Sequence, residues 1–132
     1  MYRVCLKRRF ASRHALVGAD FGPEGTEHGH DYILEWRLAA PALDRLGFVV
    51  DIDAAGAVLD AVLARYKGVF LNEAPALAGV NPSLERFAKA LFDELEAALA
   101  GAATTASRVH CEGLRLWESE EAWAEWTAEG GE

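Results

Sequence analysis

The chain has 132 residues, enough for one domain around one core. Hydrophobic residues make up 52% and charged residues 26%, a globular balance that excludes a disordered chain. Thirteen Lys and Arg against 21 Asp and Glu give a formal charge of −8, which argues against nucleic acid and anionic membranes as partners.

Two cysteines, Cys5 and Cys111, are too few for a disulfide framework. The basic N-terminal stretch is not followed by an apolar h-region, and charges interrupt every alanine-rich run well short of a membrane span. A single cytoplasmic domain over residues 1–132 is the expectation.

In chain order, residues 2–11 alternate, with Tyr2, Val4, Leu6 and Phe10 on one parity and Arg3, Lys7 and Arg9 on the other, which predicts a strand. Glycines and a proline across 18–29 predict a loop. Residues 30–39 form a second strand, with Tyr32, Leu34, Trp36 and Leu38 opposite Asp31, Glu35 and Arg37. After Pro41 and the apolar run Phe48-Val49-Val50 the period changes. Ala55, Val58, Leu59, Val62, Leu63 and Tyr66 recur at helical spacing, with Asp51 or Asp53 as the cap. A turn-rich stretch from Lys67 to Asn81 leads to a second helix from Pro82-Ser83. Its stripe of Leu84, Phe87, Ala88, Leu91, Phe92, Leu95 and Leu99 is the strongest periodicity in the chain, and Gly101 sits at its end. Residues 100–107 read as a loop, 108–118 as a strand, and 121–126 as a candidate further strand. Two amphipathic helices cover one face of such a sheet, so the other face is solvated or meets another subunit. That second face is expected to bear apolar groups, which disfavours a monomer.

Three of the four histidines cluster as His14 and His28-Gly29-His30. Positions i and i+2 of a strand share a side, so His28 and His30 project together, and the glycine between them leaves space beside an ion. His14 lies just past the end of the first strand. Antiparallel pairing with the second brings it to the same place. Three neutral imidazoles with one open position describe a catalytic zinc site. Without a metal they would pack as polar residues around water. Glu118 closes an apolar strand, where a carboxylate must be satisfied. Glu85 falls in the first turn of the second helix, a favourable place for a negative charge.

Six segments together resemble the 6-pyruvoyl tetrahydropterin synthase and 6-carboxytetrahydropterin synthase family over nearly the whole chain. They are Phe10-Ala11-Ser12-Arg13-His14, His28-Gly29-His30-Asp31-Tyr32, Gly47-Phe48-Val49-Val50-Asp51, Leu71-Asn72, Pro82-Ser83-Leu84-Glu85-Arg86-Phe87-Ala88 and Leu114-Arg115-Leu116-Trp117-Glu118-Ser119. The resemblance implies an α+β tunnelling fold of order ββααββ: a four-stranded antiparallel sheet with two helices on one face. It implies that three subunits close their sheets into a barrel and that two trimers stack into a homo-hexamer. It further implies a Zn2+ on His14, His28 and His30 and dihydroneopterin triphosphate as substrate. Glu118 then anchors the pterin ring, assisted by Ser83 and Glu85 at the start of the second helix.

Two positions depart from the family pattern. Its catalytic cysteine, four residues before the first histidine of His-x-His, is replaced by Glu24. A carboxylate can also serve as general base, and a branch of the family with Glu there cleaves the side chain to 6-hydroxymethyl-dihydropterin. Glu27 and Lys67 are rival candidates for that role. The family's Asp-His proton relay falls on Lys67-Gly68. Two readings follow: a zinc-dependent lyase-like enzyme acting on a reduced pterin, or a pterin-binding homologue without synthase activity, with or without zinc.

Overall fold

The computed structural model describes residues 1–102 and 108–128. Its order is β1 (Tyr2–His14), β2 (His28–Ala40), α1 (Ile52–Leu63), α2 (Leu84–Ala100), β3 (His110–Ser119) and β4 (Ala122–Thr127). The strands form one antiparallel sheet in the order β1-β2-β3-β4. Both outer strands are therefore β1 and β4. Most of the loop expected at 100–107 lies outside the described residues, as do residues 129–132 of the expected domain.

Pleating explains the layer arrangement. Leu6, Phe10, Tyr32, Leu34, Trp36, Leu38, Leu114 and Leu116 point to one face and are buried. The helices meet them with Leu59, Val62, Leu63, Phe87, Leu91, Leu95 and Leu99. A register shift between Arg37 and Leu38 lets Cys111 join this core, where Trp36 Nε1–H donates to its Sγ at 3.0 Å. Burial pushes the Cys111 thiol up to about 12, so it stays protonated. Asp51, not Asp53, caps α1: its side chain accepts from the N–H groups of Asp53 and Ala54. Ser83 caps α2 in the same way, accepting from Arg86 N–H.

The strands run further than their alternation indicates. β1 extends to His14 and β2 begins at His28, two residues before the reach of the apolar pattern. Glycine and histidine carry no strand signal there. Pairing of His14 with His28 and of Ser12 with His30 holds the extension.

The second face is charged rather than apolar. It carries Arg3, Lys7, Arg9, Glu35, Arg37, Arg115 and Glu125, with Ile33, Trp117 and Trp123 among them. Arg37 pairs with Glu125 at 2.8 Å, and Arg115 lies over the Trp123 ring at 4.0 Å. The expected apolar groups are present as Ile33, Trp117 and Trp123, but charge predominates on this face. The outer strands of the sheet are β1 and β4, whose edges are suited to pairing with a further strand.

Leu91 is fully buried between α2 and the sheet. Leu91→Ala should lower unfolding stability by about 2–5 kcal/mol in denaturant titration, because the cavity beneath α2 cannot collapse fully.

Candidate metal centre

The strand register builds the site. His14 lies directly across from His28, and His30 stands two residues further along β2 on the same face. Their rings meet edge to face, with centroids 4.6 to 4.9 Å apart. His14 is 2% exposed; His28 and His30 are half-buried.

Two backbone carbonyls orient the rings. His14 Nδ1 lies 2.9 Å from the Pro82 carbonyl and His28 Nδ1 lies 2.8 Å from the Thr26 carbonyl. A carbonyl only accepts, so each Nδ1 carries the proton and donates. Each neutral ring then keeps a bare lone pair on Nε2. Yet His14 Nε2 is 3.0 Å from His28 Nε2 and 3.1 Å from His30 Nε2. Two lone pairs at that distance repel unless a cation stands between them. Three ring nitrogens on one point are the donor set of a tetrahedral zinc site with an open position. Burial lowers the His14 pKa, which favours the neutral, ligating form. The residues present thus fit a zinc ion.

The surroundings hold this geometry. Ser12 Oγ–H lies against the carbonyls of Tyr66 and Val69. Asn72 grips the residue after His14 from both sides: its Oδ1 accepts from Ala15 N–H at 2.9 Å, and its Nδ2 donates to the Ala15 carbonyl at 2.8 Å. Asn81 Oδ1 accepts from Val17 N–H. Pro82 and Asn81 connect this frame to the start of α2. Sequence reasoning named neither as a positioning residue. The available signal was two asparagines, Asn72 and Asn81, within the turn-rich stretch, a residue type that satisfies backbone groups without regular structure.

Gly29 does not face the histidine cluster, where it was expected to leave space for an ion. It points to the other face, where an added Cβ would meet Ser12 O at 3.6 Å and Arg13 Cγ at 3.8 Å. Glu118 does reach the cluster, with Oε2 3.8 Å from His30 Nε2. A register shift falls between Trp117 and Ser119, so Glu118 is the inserted residue at that point. Below it, Tyr32 stacks on Phe10 and meets His30 and Phe87 edge-on. Burial, and then the Glu118 charge, raise the Tyr32 pKa and keep its hydroxyl protonated.

The other candidates are less closely joined. Ser83 spends its Oγ on the helix cap. Glu85 is exposed in the first turn of α2. Glu24 is exposed on a short 3-10 turn, Gly22–Gly25, whose chain is tied to the site by Leu16 N–H donating to the Glu24 carbonyl. Glu27 forms an ion pair with Arg13, which also donates to the Gly68 carbonyl. Lys67 is exposed, and Gly68 turns with φ +67° while its N–H bonds the Ala11 carbonyl. Beside His30 opens a recess of about 240 Å³, bordered by Ser12, Arg13, Gly29, Asp31 and Gly68.

Among solved structures, the chain is similar to Caenorhabditis elegans 6-pyruvoyl tetrahydropterin synthase, with TM-score 0.81 and 17% identity over 98% of both chains. It is similar to the Plasmodium vivax synthase at TM-score 0.67 and 16% identity, over 96% of this chain and 98% of that one. A third similar structure is a variant of the P. vivax enzyme in which a catalytic glutamate is replaced by alanine, with TM-score 0.65, 15% identity and coverage of 95% and 96%. At such identities these structures speak for the tunnelling fold alone. No curated protein sequence matches the chain. The family profile described as 6-pyruvoyl tetrahydropterin synthase matches residues 3–129, and with that span covered the chain belongs to the 6-pyruvoyl tetrahydropterin synthase family.

Proposed function

We propose that this chain binds a reduced pterin such as dihydroneopterin triphosphate, holds zinc on His14, His28 and His30, and cleaves or eliminates from the pterin side chain. The reading includes assembly as a dimer of trimers in the cytoplasm. The observation that carries it is the convergence of three Nε2 atoms with Glu118 only 3.8 Å from one of them. Metal donors and a pterin anchor thereby share one side of the sheet.

Zinc bound there supplies Lewis-acid polarisation of the substrate's side-chain oxygens and acidifies the neighbouring C–H. The chain's own residues supply binding and proton transfer. Glu118 offers two coplanar acceptors to the amino and ring N–H donors of a pterin, a charge-assisted match. Ser83 and Glu85 border that side from the start of α2. Glu24 is the carboxylate proposed to take the proton. A glutamate described as a catalytic residue in the P. vivax enzyme supports that choice. Glu27 is the weaker candidate, since Arg13 already engages it. The assembly is supported by the family resemblance and by the two outer strand edges, which closure into rings would cover.

One observation favours the second reading, a binding protein without synthase turnover. The relay positions hold an exposed Lys67 and a turning Gly68, and neither has a side chain placed to pass a proton to the histidines. Incubating zinc-replete protein with dihydroneopterin triphosphate and analysing the products separates the two. A released triphosphate or shortened side chain establishes the enzyme. Tight binding with unchanged substrate establishes the binding protein.

Wild-type protein purified with added zinc should hold one ion per chain by elemental analysis. His28→Ala should lose it while keeping the far-ultraviolet dichroism of the parent, since the core lies elsewhere. Zinc absent from the wild type would overturn the metal assignment. Glu118→Ala should weaken pterin binding by about 1.5–3 kcal/mol in calorimetry, the scale of a hydrogen bond to a charge. In the same assays Glu24→Gln should lower turnover with binding nearly unchanged, because it keeps shape and removes the base.

A further inference from the structure

Glu118 sits where the pairing of β3 gives out. On one flank, Ile33–Trp117 is the last pair between β2 and β3. On the other, β3 advances by two residues, Trp117 to Ser119, while β4 advances by one, Trp123 to Ala122. Neither flanking strand therefore holds Glu118 in register. A slip of one residue at this point would turn its carboxylate away from the histidines and toward the charged face.

The residue before it is tied down on the opposite face. Trp117 is half-buried there, and its indole N–H donates to Glu35 Oε1 at 3.0 Å. The contact is diagonal in the ladder, since Glu35 stands opposite Arg115 and Trp117 opposite Ile33. An indole N–H only donates and a carboxylate only accepts, so the bond is directional and charge-assisted. The Trp117 ring also meets that of Trp123, with centroids 6.2 Å apart. Past Glu118, Ser119 Oγ accepts from Glu121 N–H at 3.2 Å and closes the turn into β4.

We propose that Trp117 is a positioning residue for Glu118: its bond to Glu35 fixes which way the end of β3 faces, and so keeps the Glu118 carboxylate on the side of His30. The proposal rests on the reading of Glu118 as the anchor of a pterin ring. Glu35 belongs to β2, the strand that also carries His28 and His30. The indole bond therefore ties the anchor's strand to the strand of the metal donors, at the step where backbone pairing stops doing so. It sets the spacing between the ring that Glu118 would hold and the ion that the histidines would hold, and Glu118 Oε2 lies 3.8 Å from His30 Nε2. A phenylalanine at 117 would cover the same surface. Only the indole N–H adds the tie to Glu35.

Calorimetric titration of the full-length protein with neopterin tests this, because neopterin keeps the pterin's amino and ring N–H donors and has no triphosphate to lose. Trp117→Phe removes the N–H and keeps a ring. Glu35→Leu removes the acceptor and keeps the tryptophan. Glu35→Gln keeps an oxygen for the indole. Trp117→Phe and Glu35→Leu should each weaken binding by about three- to tenfold, less than the loss of at least about tenfold for Glu118→Ala. Glu35→Gln should stay within about twofold of the parent, since its amide oxygen still accepts. In a Glu118→Ala background Trp117→Phe should cost nothing further, because a positioning residue acts only through the group it positions. Parental affinity in either Trp117→Phe or Glu35→Leu, a Glu35→Gln as weak as Glu35→Leu, or an undiminished loss in the Glu118→Ala background would overturn the positioning role while the anchor stands. No neopterin binding by the parent, or equal binding by Glu118→Ala, would overturn the pterin reading and this role with it.

Discussion

The site depends on two hydrogen bonds that turn imidazoles. Pro82 and Thr26 offer carbonyls to the Nδ1 atoms of His14 and His28, and this fixes both tautomers. Once Nδ1 holds the proton, Nε2 has only a lone pair to present. The antiparallel register then sets the lone pairs of His14 and His28 against each other, with His30 Nε2 beside them. In a half-buried pocket with no other donor between them, such an arrangement is unfavourable without a cation. The protein's own hydrogen bonding thus adds to the residue types a reason to propose a cation at this point.

From that point outward the fold divides its labour. The helix-bearing face carries the core and, at one end, the histidines, Tyr32 and Glu118. The start of α2 serves both layers: Ser83 caps the helix, and Pro82 beside it orients His14. The opposite face carries ion pairs whose charges alternate across the strands. A sheet with one apolar and one charged face and two open edges is suited to closure by further copies, because closure removes the edges while leaving the charged face hydrated.

Much of this was legible in the residues. The period-2 and period-3.6 patterns gave the element order, and His-x-His with a third histidine at a strand end gave the cluster. The boundaries at His14 and His28 were not legible, because pairing across the sheet, not side-chain alternation, extends those strands. Gly29 was read as leaving space beside an ion, although the parity that puts His28 and His30 on one side of β2 puts it on the other. The roles of Asn72 and Pro82 lie in bonds to backbone groups distant in sequence. The polarity of the second face was visible in Arg3, Lys7, Arg9, Glu35 and Arg37, whereas the outer edges of β1 and β4 follow from a strand order that no side chain announces.

X-ray absorption at the zinc edge on the purified, zinc-loaded protein tests the central claim most directly. The account predicts one ion per chain with three imidazole nitrogens at about 2.0–2.1 Å and one lighter ligand completing a four-coordinate shell. A shell of oxygens alone, or one with fewer than three imidazoles, would contradict it.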